Sequence, residues 1–263
     1  MGWDEQRVSF GAVAETYDAH RPEWPAATAA WLTGIESGGP LQARAQATGL
    51  DVLDLGAGTG KLTRTLVQAG HRVTAVDPSD GMLAVLSTSL PQIKSLAGTG
   101  EAIPAEAGSI DVVTVAQAWH WMDKPAAAAE CARVLRPGGL LAIAWHRRVA
   151  DDGWLAELED LAEAPANRSV RSVRSHVQGL ELSREFGELQ TITFEYEQRV
   201  TPEALVALTS SWSYVITRPD RERVLSDVEA LGRRVAGPDG LITLPHRTYC
   251  YRALRVPPPV EPA

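Results

Sequence analysis

The stretch Leu53-Asp54-Leu55-Gly56-Ala57-Gly58-Thr59-Gly60 constrains this chain more than any other. It leads from a short apolar strand into a helix. Glycines at such a junction let the backbone turn sharply and let a ligand lie against bare main chain. From there to Trp145 the pattern alternates. Residues 51–55, 72–76, 92–97, 110–115 and 140–145 read as buried strands, rich in Val, Leu and Ile. Residues 61–69, a run through Met82, Leu83, Val85 and Leu86, and residues 126–135 carry apolar side chains at helical spacing. Gly70 and Arg136-Pro137-Gly138-Gly139 stand where two of those helices should stop. Strict alternation means parallel strands joined by crossover helices, hence an α/β, doubly wound sheet covered on both faces.

The loop can be assigned to a ligand by charge. Asp77 ends the second strand, 21 residues after Gly56. A carboxylate there can accept hydrogen bonds from both hydroxyls of an adenosine ribose; its simpler role is to cap the next helix. A dinucleotide fingerprint would need its third glycine at position 61, which is Lys, and Gly60 comes one residue early. Asp54, just before the turn, suits a ligand bearing an ammonium and would repel a pyrophosphate. S-adenosylmethionine has an ammonium, an adenosine and no phosphate, so it is favoured over NAD.

Further segments are Gly100-Glu101-Ala102-Ile103-Pro104, Ile110-Asp111-Val112-Val113 and Val134-Leu135-Arg136-Pro137-Gly138-Gly139. With the glycine loop and Val76-Asp77-Pro78-Ser79, they make residues 10–145 resemble a class I S-adenosylmethionine-dependent methyltransferase of the small-molecule type. Ala116-Gln117-Ala118-Trp119-His120-Trp121, with Phe10, Ala14, Tyr17 and Arg21-Pro22, is similar to the trans-aconitate methyltransferase-like subgroup. The resemblance implies a Rossmann-like methyltransferase fold with a seven-stranded, mainly parallel sheet whose last strand is antiparallel. It also implies a helical lid over residues 1–36, a cofactor-binding core over 37–146 and a helical insert over 147–188. Residues 189–255 would complete the sheet and add cap helices, and 256–263 would be a disordered tail.

Roles follow from the same resemblance. Asp54, Gly56 and Gly58 would hold the methionine end, Asp77 the ribose and Met82 the adenine face, with Ala57, Pro78 and Tyr17 in the same cofactor set. Thr99 stands where the family often has an acid facing the adenine amine, so backbone at Gly100 and Ala102 would serve instead. Glu101 is open to two roles, ligand or local cap. Gln117 would point into the crevice near the reactive methyl. Tyr17, on the lid, also counts with Arg21 on the substrate side, where Arg21 would meet an acceptor carboxylate.

Other residues carry competing readings. His120 is the candidate general base, but a packing or orienting role is preferred, since a carboxylate acceptor needs no base at neutral pH. Trp119 and Trp121 follow a strand's carboxyl end and are expected in the substrate pocket, whereas Trp145 and Trp31 read as core. Trp212 and Tyr214 are expected near substrate because the family's later segments approach it. Arg168, Arg171 and Arg174 share one helical face, which reads as solvated rather than as an anion clamp. The remainder is less regular: residues 11–36 look helical in two pieces broken at Arg21-Pro22, 191–200 alternate like a strand, and Thr201-Pro202 opens a helix. Residues 241–254 read as a strand interrupted at Pro245-His246.

Composition narrows the partners. With 25 Lys and Arg against 33 Asp and Glu, the net charge is -8, which disfavours a nucleic-acid binder with a broad basic face. No [DNS]PP[YF] motif follows the fourth strand. Cys131 and Cys250 are the only cysteines and belong to no metal-binding spacing; no metal is expected. The acidic N-terminus is not a signal peptide and no apolar run reaches membrane length, so a cytoplasmic protein with no membrane partner is expected. The sequence therefore points to methyl transfer onto a small organic molecule, with a carboxylate among the candidates. An NAD-dependent oxidoreductase and a cofactor-binding protein without turnover are the alternatives.

Overall fold

The computed structural model describes residues 24–36, 38, 40–148, 153–162 and 184–256. Its strands are β1 (Asp51–Leu55), β2 (Arg72–Asp77), β3 (Lys94–Ala97), β4 (Ile110–Ala116), β5 (Leu135–Arg148), β6 (Gln190–Val200) and β7 (Ile242–Leu254). Its helices are α1 (Ala26–Thr33), α2 (Pro40–Thr48), α3 (Lys61–Gln68), α4 (Asp80–Ser89), α5 (Lys124–Val134), α6 (Gly153–Ala162), α7 (Pro202–Ser210), α8 (Ser213–Ile216) and α9 (Arg221–Val235).

One seven-stranded sheet runs in the order β3-β2-β1-β4-β5-β7-β6. Neighbours from β3 to β5 are parallel, and β7 lies antiparallel between β5 and β6. The chain moves outward from β1 to β3, then returns to lay β4 on the other side of β1. That reversal opens a crevice at the carboxyl ends of β1 and β4, where open α/β sheets hold ligands.

Period-two alternation explains how the central strands are covered twice. Val52, Val112 and Ala142 pack with Ala29 and Leu32 of α1 and Leu62 and Leu66 of α3. Their neighbours Leu53, Val113 and Leu141 pack on the other face with Ala127, Ala128 and Cys131 of α5. Each Val or Leu among them contributes about 1.5–3 kcal/mol on burial. A third cluster gathers Leu155 and Leu158 of α6, Leu205 and Leu208 of α7 and Val224 and Val228 of α9 against Ile242 and Leu244 of β7.

The boundaries differ from the sequence reading where side chains outside the repeat take part. Helix α5 starts two residues early because Asp123 accepts from Ala126 N and Pro125 occupies the first turn. Strand β3 is shorter, since Ile93 closes a turn on Leu90. Strand β5 does not stop at Trp145: His146, Arg147 and Arg148 pair with Thr248, Arg247 and His246 of β7. Nor is β7 interrupted at Pro245-His246. Strand β5 ends opposite His246, so at Pro245 only the β6 flank, facing Glu197, has a partner strand. The expected N-terminal helical piece before Arg21-Pro22, much of the 147–188 insert and the tail from 257 lie outside the described residues.

Candidate active site

The loop after β1 is strapped to β2, where Gly56 N and Ala57 N both donate to the Val76 carbonyl, at 2.7 and 3.1 Å. Gly56 and Gly58 have φ of 70° and 57°, a region costly to residues with a Cβ. A Cβ on Gly56 would overlap that of Ala118, whereas one on Gly58 would meet nothing within 4 Å. The backbone at Gly58 therefore faces open space. Asp77 at the end of β2 braces this arrangement: its carboxylate accepts from Gly58 N and Ser79 N, each at 2.9 Å. Ser79 caps α4 through Met82 N.

Asp54 sits beneath the loop, 1% exposed. Its two oxygens accept from the hydroxyls of Thr63 at 2.7 Å and Thr114 at 3.0 Å. Burial pushes its pKa up to about 6 against the pull of those hydroxyls, with the Asp77 charge adding to the rise. At the end of β4, Gln117 has φ 59°, and it is the one described non-glycine residue in the left-handed region. Its N–H donates to Ala144 O at 2.9 Å and its side-chain amide to His146 O at 3.0 Å, pinning it to β5.

Two cavities meet at this point. The first, about 940 Å³ of space open to solvent, runs from Gly56 and Gly58 past Asp77, Pro78, Ser79 and Met82 to Gly98, Thr99, Gly100 and Glu101. Ala116, Gln117, Ala118, Trp121 and Met122 close its other side. The second, about 740 Å³, is lined by Trp24, Asp54, Ala57, Thr59, Lys61 and Leu62 and by His146, Arg148, Leu208 and His246. Gly56, Gly58, Ala116 and Gln117 line both.

Most residues singled out from sequence converge here, though not all in the expected way. Gly56, Gly58, Asp77, Pro78, Met82, Gly100, Glu101, Gln117 and Trp121 line the first cavity, and Asp54 and Ala57 the second. Glu101 also accepts from Asp123 N at 2.7 Å, at the start of α5. Ala102 is exposed and off both walls, with its N–H donating to Thr99 O. Trp119 is fully buried in the core cluster under the sheet; its neighbour Trp121 takes the cavity position alone. His120 is exposed, tilted against Trp121 and Trp145, and lines neither cavity. Trp212 is buried in the C-terminal cluster, where Arg148 lies over its ring at 3.7 Å. Tyr214 bonds the same guanidinium through its hydroxyl at 3.2 Å. Both thus stand behind Arg148 rather than on the cavity wall. Tyr17, Arg21 and Arg168, Arg171 and Arg174 lie outside the described residues. Among the described residues no group of His, Cys, Asp and Glu could hold a metal ion.

Sequence reasoning missed Trp24, His146, Arg148 and His246. Trp24 stacks on His146 with centroids 3.6 Å apart, and His146 Nδ1 shares a 2.7 Å hydrogen bond with Thr248. His246 stacks on Tyr196 and bonds Gln198 at 3.1 Å. Burial, with Arg148 adding to it, pushes the His246 pKa down to about 4.

Comparisons with known proteins bear on the family. Residues 53–143 match a family model described as a methyltransferase domain. An uncharacterized methyltransferase of Mycobacterium tuberculosis is 41% identical over 254 residues, covering 95% of this chain and 96% of that one. This chain belongs to the class I S-adenosylmethionine-dependent methyltransferases. A structure from Anaeromyxobacter dehalogenans described as a type II methyltransferase is similar to this methyltransferase with a TM-score of 0.67 and 28% identity. It covers 90% of this chain and 99% of its own. The phosphoethanolamine N-methyltransferase 2 of Haemonchus contortus, solved with S-adenosylhomocysteine, shares the fold at a TM-score of 0.55 and 14% identity. It covers 98% of this methyltransferase and 61% of its own chain. No described helix of the methyltransferase is long and apolar enough to cross a membrane.

Proposed function

We propose that this methyltransferase moves the methyl group of S-adenosylmethionine onto a small organic molecule. The observation that carries the reading is the pair of cavities divided by Gly56, Gly58, Ala116 and Gln117 at the switch point of the sheet. A donor in one and an acceptor in the other would meet where the two cavities join.

The first cavity suits the cofactor. Its charged lining residues are Asp77 and Glu101, and no Lys or Arg is among them. That favours a cationic, phosphate-free ligand over a dinucleotide. Asp77 would hold the ribose, because its carboxylate ends β2 on the cavity wall and is fixed there by the N–H groups of Gly58 and Ser79. Met82, Trp121 and Met122 offer apolar surface to the adenine. Gly58 lets the methionine end approach main chain that no Cβ shields. The cofactor supplies a methyl group already activated on a sulfonium. What remains for the protein is alignment and exclusion of water. Gln117, fixed to β5 by two hydrogen bonds, keeps the dividing wall in place.

The test is ligand binding followed by transfer. S-adenosylmethionine and S-adenosylhomocysteine should raise the melting temperature and NADH should not. Labelled methyl should appear in metabolite pools rather than in tRNA, DNA or whole-protein extracts. Stabilisation by NADH alone, or label confined to macromolecules, overturns the proposal.

A further inference from the structure

We infer that Arg148 is the specificity-determining anchor of the second cavity, and that it selects acceptors bearing a carboxylate. The inference rests on the reading of that cavity as the acceptor side.

Arg148 is the last residue of β5 and lines the cavity with its side chain 15% exposed. Its guanidinium is held from three directions. Nε donates to Glu159 at 2.7 Å, Nη2 lies 2.6 Å from the same carboxylate oxygen and donates to the Tyr214 hydroxyl, and Trp212 lies beneath the guanidinium plane. Nη1 makes no hydrogen bond to the described residues. A group this rigidly held loses little freedom when it binds, and its two remaining N–H bonds are a ready donor pair for an anionic oxygen.

The surrounding charges select the same class. The other charged residues on the wall are Lys61 and Asp54. Asp54 lies 1% exposed, with one oxygen accepting from Thr63 and the other from Thr114, so little of its carboxylate reaches the cavity. His246, held neutral by burial, adds no competing charge. An acid would accept from the Arg148 donor pair, whereas an ammonium, itself only a donor, would find no partner in it. Trp24 stacked on His146 offers a flat wall, and Leu62 and Leu208 an apolar one, for the organic body of the acid.

The experiment uses the whole protein saturated with S-adenosylhomocysteine. Benzoate, phenylacetate, hexanoate and adipate are titrated beside their amides, with phenylphosphonate and benzylamine for comparison. Saturation-transfer NMR detects contact and calorimetry gives affinity. At least one carboxylate should bind ten-fold or more tightly than its own amide, with phenylphosphonate weaker and benzylamine silent. In the double variant Arg148→Gln/Glu159→Gln, which removes both charges together, the acid-to-amide ratio should fall below three-fold while S-adenosylhomocysteine affinity stays unchanged. Equal binding of acids and amides, or no binding by any acid, overturns the inference; so does a preference that survives in the double variant. The wild-type ratio needs no variant, so failure of the double variant to fold leaves that arm decisive. The acids are also titrated without S-adenosylhomocysteine, so a failure of the cofactor to bind, which sinks the functional proposal, is read separately.

Discussion

Asp54 and His246 face the same cavity, and their titrations should pull stability in opposite directions. Burial raises the Asp54 pKa to about 6, whereas in the unfolded chain an aspartate titrates near 4. Between those values the folded protein keeps a proton that the unfolded chain has lost. Stability from this group is therefore full below pH 4 and lost as pH rises to 6. At about 1.4 kcal/mol per pH unit, the loss is about 3 kcal/mol. His246 runs the other way. Its pKa is lowered from about 6.5 to about 4, so the unfolded chain takes up a proton first as pH falls. That removes a further ~3 kcal/mol between pH 6.5 and 4. In the natural protein the two slopes largely cancel. Asp54→Asn removes one and exposes the other. Calorimetric melts of both proteins from pH 4 to 7 should diverge in the variant's favour as pH rises, by about 3 kcal/mol, or on the order of 6–10 °C for a chain of this size. His246 is present in both, so the difference isolates Asp54. Parallel profiles across that range would refute the reasoning, because they would mean that Asp54 titrates alike in the folded and unfolded chain.

Asp77→Ala should weaken S-adenosylhomocysteine binding by about 2 kcal/mol, close to thirty-fold by calorimetry, through loss of a charge-assisted contact and of the brace on Gly58. Gly56→Ala should destabilise the fold by more than ~3 kcal/mol, since left-handed strain adds to the clash with Ala118. Gly58→Ala meets open space and should cost only ~1–2 kcal/mol in a thermal melt while still reducing cofactor affinity. Trp119→Ala should cost ~3–5 kcal/mol as a core truncation. Trp121→Ala should leave the melting temperature nearly unchanged and weaken S-adenosylhomocysteine about ten-fold; the reverse pattern would contradict their placement.

The half of the site built from local signals was legible in the sequence. The glycine loop follows β1 directly and Asp77 closes β2, and the strand-helix repeat fixes where such strands end. Two kinds of information were not local. Trp119 and Trp121 look equivalent as residues two apart at a strand end, where both would face one way. They fall instead in a single 3₁₀ turn; at three residues per turn their side chains diverge, one into the core and one to the cavity. His146, Arg148 and His246 form a cluster only because β7 inserts antiparallel beside β5, setting Arg148 opposite a residue nearly a hundred positions later. Their polarity made β5 read as ending too soon. Trp212 and Tyr214 drew attention for a related reason, since they support the guanidinium that faces the cavity.

The line Gly56, Gly58, Ala116 and Gln117 is also a seam between parts of the chain that supply different cavities. On the far side of it, Trp24, Asp54 and the glycine turn with Lys61 and Leu62 at the start of α3 supply one part, and residues after Trp145 the other: the end of β5, the α7 helix and β7. Everything that faces the first cavity lies between Leu55 and Met122. Exchange of the segment after Trp145 with that of a related chain should therefore transplant acceptor preference as a unit. On the proposed reading, changes in that segment would alter what is methylated and leave the first cavity untouched.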